Sequence, residues 1–242
     1  ISKPKIALLI GDQTNSLNTG EIWHFLENEM NIPITLISAS SISSSDLNEF
    51  SILFVPEGYY ESNSSINSWI EDGGKVIAFG SSVESLGVSV GLSAVTKEEE
   101  DSSEEEEGKS SKSKKDKKDE IAYSDAERSG LSTNVIGAIY RCKLDQTHPL
   151  CYGIEKYYTL RQSSDSYNKL ENGFSPVSIA QSSDHLNGFV GYKAKPLQVN
   201  SMVAGIQSKG SGQIILFTDN PIFRGFWENG KMLVANAIYQ VD

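Results

Sequence analysis

Two adjacent serines, Ser81 and Ser82, follow the apolar run Val76-Ile-Ala-Phe-Gly80 in the stretch VIAFGSSVESL. A buried strand that turns sharply into a helix is where hydrolytic α/β folds hold a Ser or Cys nucleophile over the sheet edge. A serine hydroxyl is a weak nucleophile at neutral pH, so it needs a general base within hydrogen-bond reach. The chain offers three histidines, His24, His148 and His185. His24 falls in a helical pattern and His185 in the polar loop Ser182-Ser-Asp-His185. His148, in Thr147-His-Pro149 after a strand of the second half, is the best remaining base. The alternative is an elbow of small residues that serves only tight packing of strand on helix.

A metal site is a second possible chemistry. His24-Phe-Leu-Glu27 with His148 downstream has the H-x-x-E and distant His order of a zinc carboxypeptidase site. On a helical wheel, however, His24 and Glu27 lie opposite Ile22, Phe25 and Leu26, which is the place of a solvated i, i+3 pair. No metal is expected. The polar loop Gly11–Gly20 stands where nucleotide folds carry phosphates, yet it has neither G-x-G-x-x-G nor a P-loop Lys. Its Asn, Ser and Thr side chains suit an anion at a helix N-terminus or, more simply, a helix cap. No cofactor is expected. Phe223, Phe226 and Trp227 around Arg224 form an aromatic–Arg cluster suited either to packing or to a binding surface.

The elements that must position these residues alternate. Lys5–Ile10, Ile34–Ser38, Ile52–Val55 and Lys75–Gly80 are mainly apolar runs of strand length. Thr19–Met30 carries apolar residues at helical spacing, a short helix is expected around Ser45–Phe50, and Ser64–Asp72 reads as a capped helix ended by Gly73-Gly74. Such βαβα order implies right-handed crossovers and a parallel sheet with helices on both faces. The fold class expected is α/β, flavodoxin-like, three-layered, with a mostly parallel sheet in a single domain over 1–242. Further strands are expected at Ile136–Leu144 and near Tyr157–Leu160, Val177–Ala180, Phe189–Tyr192 and Met202–Ile206. Gln213–Thr218 and the helix Lys231–Tyr239 read as a second, closing α/β unit. Ligands of open parallel sheets sit beyond the carboxyl ends of the strands. That rule gathers Asp12, Glu57, Ser81, Ser82, Asp219, Asn220 and Arg224 into one crevice.

The chain of 242 residues has a net charge of −11, which argues against a nucleic-acid partner. Residues 97–120 hold 11 acidic residues and 7 lysines, too little apolar area to offset ordering, so a disordered charged insertion is expected. Two cysteines, Cys142 and Cys151, rule out a disulfide-dense scaffold and are expected as buried or half-buried free thiols. No run of about 18 apolar residues exists, so no membrane span is expected. The start at Ile1-Ser-Lys-Pro, without Met, suggests a processed chain or an excised domain.

Taken together, the strand, the Gly-Gly pair, the small-residue elbow and the strand–Asn-Pro–helix closure resemble the class I glutamine amidotransferase-like superfamily. KIALLIGDQTNSLNTGEIWHFLE, LDQTHPLCYG and ILFTDNPIFRGFW look most like the amidotransferase-like domain at the C-terminal end of certain bacterial secreted zinc carboxypeptidases. Active members of the superfamily place a Cys in G-x-C-x-G on the elbow and a His and Glu in H-P-E after the last strand. Ala78-Phe79-Gly80 meets G-x-C, so Gly80 stands for the nucleophile, or Ser81 if the register slips by one. Asn220-Pro221-Ile222 meets H-P-E. Asn cannot take up a proton at neutral pH and Ile cannot orient a base. The resemblance therefore implies a domain without a working triad: an accessory or binding module of a secreted or periplasmic zinc carboxypeptidase. Its expected partner is a peptidase domain of the same polypeptide or a small polar ligand. The alternative is a serine hydrolase or amidase using Ser81 or Ser82 with His148.

Overall fold

The computed structural model describes residues 3–42, 47–61, 63–85 and 130–241; the charged insertion expected at 97–120 lies outside them. The apolar runs form β1 (Ile6–Ile10), β2 (Ile34–Ser38), β3 (Ile52–Val55) and β4 (Lys75–Phe79). Between them stand α1 (Ser16–His24) and α2 (Ser64–Glu71). Asn15 and Asn63 start these helices, each side-chain oxygen accepting two backbone N–H groups of the first turn. That meets donors a helix start cannot pair internally. The helix expected over Thr19–Met30 widens into a π-helical turn at Phe25–Glu29, while Ile22, Phe25 and Leu26 remain buried.

After the insertion come β5 (Val135–Leu144), β6 (Tyr157–Arg161), β7 (Phe174–Ile179), β8 (His185–Val190) and the short α3 (Ala194–Gln198). The chain continues as β9 (Ser201–Lys209), β10 (Gly212–Phe217) and α4 (Glu228–Tyr239). The sheet runs β2-β1-β3-β4-β10-β9-β7-β5-β6, with β8 paired to β5. Its five strands from β2 to β10 pair in parallel, the 2-1-3-4-5 order of flavodoxin-like folds. The rest is an antiparallel extension.

One expectation is corrected here. Gln213–Thr218 does not open a second α/β unit, because β10 pairs with β4 from Gln213↔Lys75 to Phe217↔Phe79 and completes the first sheet. An apolar strand buried on both faces is stable only inside a sheet covered on both sides.

Period-two alternation splits each parallel strand between two cores. Ile6, Leu8, Phe54, Ile77, Phe79, Ile215 and Phe217 face one core with Ile22 of α1, Leu26 of the π-helical turn and Leu233, Val234 and Ile238 of α4. Ala7, Leu9, Leu53, Val55, Val76, Ala78, Ile214 and Leu216 face the other, with Ile66, Trp69 and Ile70 of α2. Each such burial contributes about 1.5–3 kcal/mol for a large aliphatic or aromatic side chain. The result is three layers, and the ends of β1, β3, β4 and β10 are held rigidly side by side.

Candidate functional site

Beyond those carboxyl ends lies a crevice of two joined lobes. The larger, about 560 Å³, is lined by Asn15, Glu21, Glu57, Gln162, Asn220, Phe223 and Arg224, with Leu17 and His24 at its side. The smaller, about 250 Å³, is lined by Glu57, Tyr59, Gly80, Ser81, Gln162, Asp165, Asp219 and Asn220. Glu57, Gln162 and Asn220 border both. Of the residues expected there, Glu57, Ser81, Asp219, Asn220 and Arg224 come together. Asp12 is exposed in the turn before α1 and lines neither lobe. Ser82 is fully buried beneath the elbow.

The elbow itself is bare, its left-handed position taken by a glycine. Gly80 holds φ +54°, and a Cβ built on it would stand 2.5 Å from Glu57 Cγ and 2.6 Å from its Oε1. The carboxyl of Glu57 therefore fills the space in which a side chain at position 80 would begin. The Ser82 hydroxyl is committed to the turn: its one proton faces Phe79 O at 2.8 Å, with Val55 O at 3.3 Å, and it accepts from Phe79 N (3.0 Å). Ser81 Oγ accepts the Gly58 N–H at 3.1 Å. His148 does not reach either serine. It borders a separate cavity with Ser208 and Gln213, at the amino end of β10. Since β4 and β10 run parallel, that is the far end of the sheet, roughly 13 Å away along five strand residues. Its Nδ1 accepts the Leu150 N–H at 3.1 Å, which caps the turn Pro149–Cys151.

The closing turn is equally occupied. Asn220 donates from Nδ2 to Glu21 Oε2 and accepts the Ile222 N–H at 3.1 Å. Glu21 Oε1 takes the backbone N–H of Arg224 at 2.7 Å, and Asn18 Nδ2 lies 3.4 Å from Oε2. Asp219 accepts the Thr159 hydroxyl at 2.6 Å and Arg161 Nη1 at 3.1 Å on each oxygen. Arg161 is 0 % exposed and further bonds Thr218 Oγ1 at 3.2 Å, Gln198 Oε1 at 2.9 Å and the carbonyl of Asp165.

Burial holds the Glu57 carboxyl above its ordinary value, reinforced by the negative charges of Glu21 and Asp219 and opposed by the Asn15 amide at 3.1 Å. The crevice thus presents a carboxyl that takes a proton readily, an amide at Gln162 and a guanidinium at Arg224. Among the described residues no histidine lines the lobe that holds Ser81. The expected His24–Glu27 pair is not formed: His24 Nδ1 lies 3.4 Å from Glu29, and Glu27 accepts from Trp23 Nε1 at 2.8 Å. The π-helical turn moves these side chains out of simple i, i+3 register.

Three site residues escaped the sequence reading. Glu21 stands three residues after Asn18 in the first motif, and that spacing on one helix face was its only signal. Arg161 ends the run Tyr157-Tyr-Thr-Leu-Arg161, where a charge attached to a buried strand demands a partner. Gln162 follows it with no distinguishing pattern.

No family model and no curated protein matches the sequence. Solved structures do. A Thermoplasma acidophilum protein assigned to GMP synthase superposes with a TM-score of 0.57 at 10 % identity, over 98 % of this chain and 94 % of that one. A glutamine amidotransferase from Thermotoga maritima gives 0.52 at 8 % identity, over 90 % and 76 %. In a β-galactosidase from Bacillus circulans the likeness (0.52, 13 % identity) spans 98 % of this chain but 31 % of the enzyme. With its parallel strand order and elbow geometry, the chain has a glutamine amidotransferase-like fold.

Proposed function

We propose that this chain is a non-catalytic binding module built on the amidotransferase-like fold, serving a larger secreted enzyme of the zinc carboxypeptidase type. The observation that carries it is the elbow: Gly80 stands at the nucleophile position and the Glu57 carboxyl fills the space beside it. The turn that would hold the base supplies Asn220, tied to Glu21 and to the Ile222 N–H. What is left is an open crevice on which polar groups converge from α1 and from the ends of β3, β4, β6 and β10, and a few convergent polar groups in a concavity mark a small-ligand site. The host enzyme and the location outside the cytoplasm rest on the resemblance of the three motifs alone.

The test is intact-mass analysis after treatment with a fluorophosphonate and with an electrophilic glutamine analogue. No adduct is expected with either on the folded chain. A stoichiometric adduct on wild type, lost in Ser81→Ala, would make the protein a serine hydrolase and overturn the reading. For the accessory role, Glu57→Ala and Arg224→Gly should weaken co-elution with the host's peptidase domain.

A further inference from the structure

Resting on that reading of the crevice as a binding site, we propose that its ligand ends in a carboxylate held by Arg224, with a neutral polar body reaching Gln162 and Glu57. The other charged groups around the two lobes all have polar partners, Glu57 among them through the Asn15 amide at 3.1 Å. Asp219 is neutralised by Arg161 at 3.1 Å. Glu21 accepts from Asn18, Asn220 and the Arg224 N–H. His24 lies against Glu29, and Asp165 accepts the Ser163 hydroxyl at 2.6 Å. Arg224 is the exception. Its guanidinium has no carboxylate partner and no hydrogen bond among the described residues, and it rests over the Phe223 ring, 5.0 Å from the centroid.

The backbone around Arg224 is built to present it. Arg224 holds φ +50°, a left-handed conformation that side chains other than Gly adopt at a cost. A carboxylate from α1 clamps its N–H at 2.7 Å. A planar guanidinium fork, desolvated on one face by an aromatic ring, matches a carboxylate in two parallel hydrogen bonds. A phosphate dianion fits less well, because Glu21 and Glu57 border the same lobe.

Glu57 makes the binding proton-linked. Facing it are Glu21 from α1, Asp219 from the turn after β10, and the Asn15 amide. Protonation of Glu57 removes a negative charge beside the ligand anion, so affinity rises as pH falls through its elevated pKa.

The experiment titrates the 242-residue chain with N-acetylglycine and with N-acetylglycinamide, by calorimetry and by amide NMR. The acid is expected to bind saturably, moving the signals of Gly58, Ser81 and Arg224, and the amide to leave them in place. Arg224→Gly removes the guanidinium and places at the left-handed position the residue that adopts it most readily, so it is expected to fold, as circular dichroism would check, and it should bind the acid roughly 10- to 100-fold more weakly. Lowering the pH from neutrality toward the ordinary carboxylate range, while the ligand carboxylate stays ionised, should tighten wild type and leave Glu57→Gln flat. Tighter binding of an acetylated tripeptide acid than of N-acetylglycine would identify a peptide end as the source; equal binding, a small free acid. Equal binding of acid and amide, an unaffected Arg224→Gly, or no binding of the acid overturns the proposal. Response to neutral sugars alone would do the same while leaving the crevice a binding site. A serine adduct with fluorophosphonate would instead remove the reading beneath it.

Discussion

Gly80 and Glu57 share one small volume, so a side chain at position 80 meets both a costly left-handed backbone angle and a carboxyl. Gly80→Ala is expected to lower stability by about 1–3 kcal/mol in urea unfolding; an unchanged midpoint would show that the Glu57 carboxyl does not occupy that space. The pair Arg161–Asp219 is different, since the guanidinium is 0 % exposed and its charge is met by a single carboxylate. Asp219→Ala strands that charge and should cost about 3–5 kcal/mol. Glu57 sets a pH dependence whose sign follows from burial. Its folded pKa lies above the ordinary 4.5, so the folded chain binds the proton more tightly than the unfolded one. Stability contributed by the neutral carboxyl is present below that elevated value and is lost as pH rises through it. Glu57→Gln should therefore be more stable than wild type at neutral pH, and the advantage should vanish in acid.

At the level of elements, α1 is the piece on which the crevice hangs. Asn15 caps it, takes the Glu57 carbonyl with its own N–H at 2.7 Å and donates to the Glu57 carboxyl. Asn18 accepts the Glu57 N–H at 3.0 Å, and Glu21 clamps the closing turn. Replacing Asn15 with Ala removes the cap, which costs about 1 kcal/mol, and loosens Glu57 as well. The expected signature is a drop in thermal midpoint together with faster amide exchange at Leu17 and Asn18. Exchange changed only at α4 would contradict this linkage. The extension β9-β7-β5-β6 has a matching role, since β6 delivers Arg161 to the turn after β10.

Across the whole molecule, both cysteines report on global opening. Cys142 and Cys151 are free and buried. Burial pushes the Cys142 thiol well above its ordinary range and the Cys151 thiol up to about 11. Neither forms appreciable thiolate at neutral pH, and thiolate is the reactive form. A disulfide reagent should modify neither in the native chain and both in urea, with the labelling midpoint coincident with loss of circular dichroism. A fast native phase would indicate local opening of β5 or of the turn Pro149–Cys151.

Local physics made most of the fold legible. Apolar runs of strand length, Asn caps and Gly-ended helices depend on neighbours in the chain, and β2 and β3 have the bounds their runs predict. The crevice was legible as a place, because strand ends in a parallel sheet must open together. Its working parts were not. Arg161 meets Asp219 across 58 residues and Glu21 meets Asn220 across 199, separations over which no periodicity or capping rule carries information. Nor could spacing tell that His148 stands at the wrong end of β10. By itself the sequence determined that Gly80 and Asn220 cannot perform nucleophile and base chemistry, since that is a property of side-chain type. Only tertiary packing decided that Glu57 fills the bare elbow and that Arg224 has no carboxylate partner among the described residues, because burial and charge pairing arise when distant strands meet.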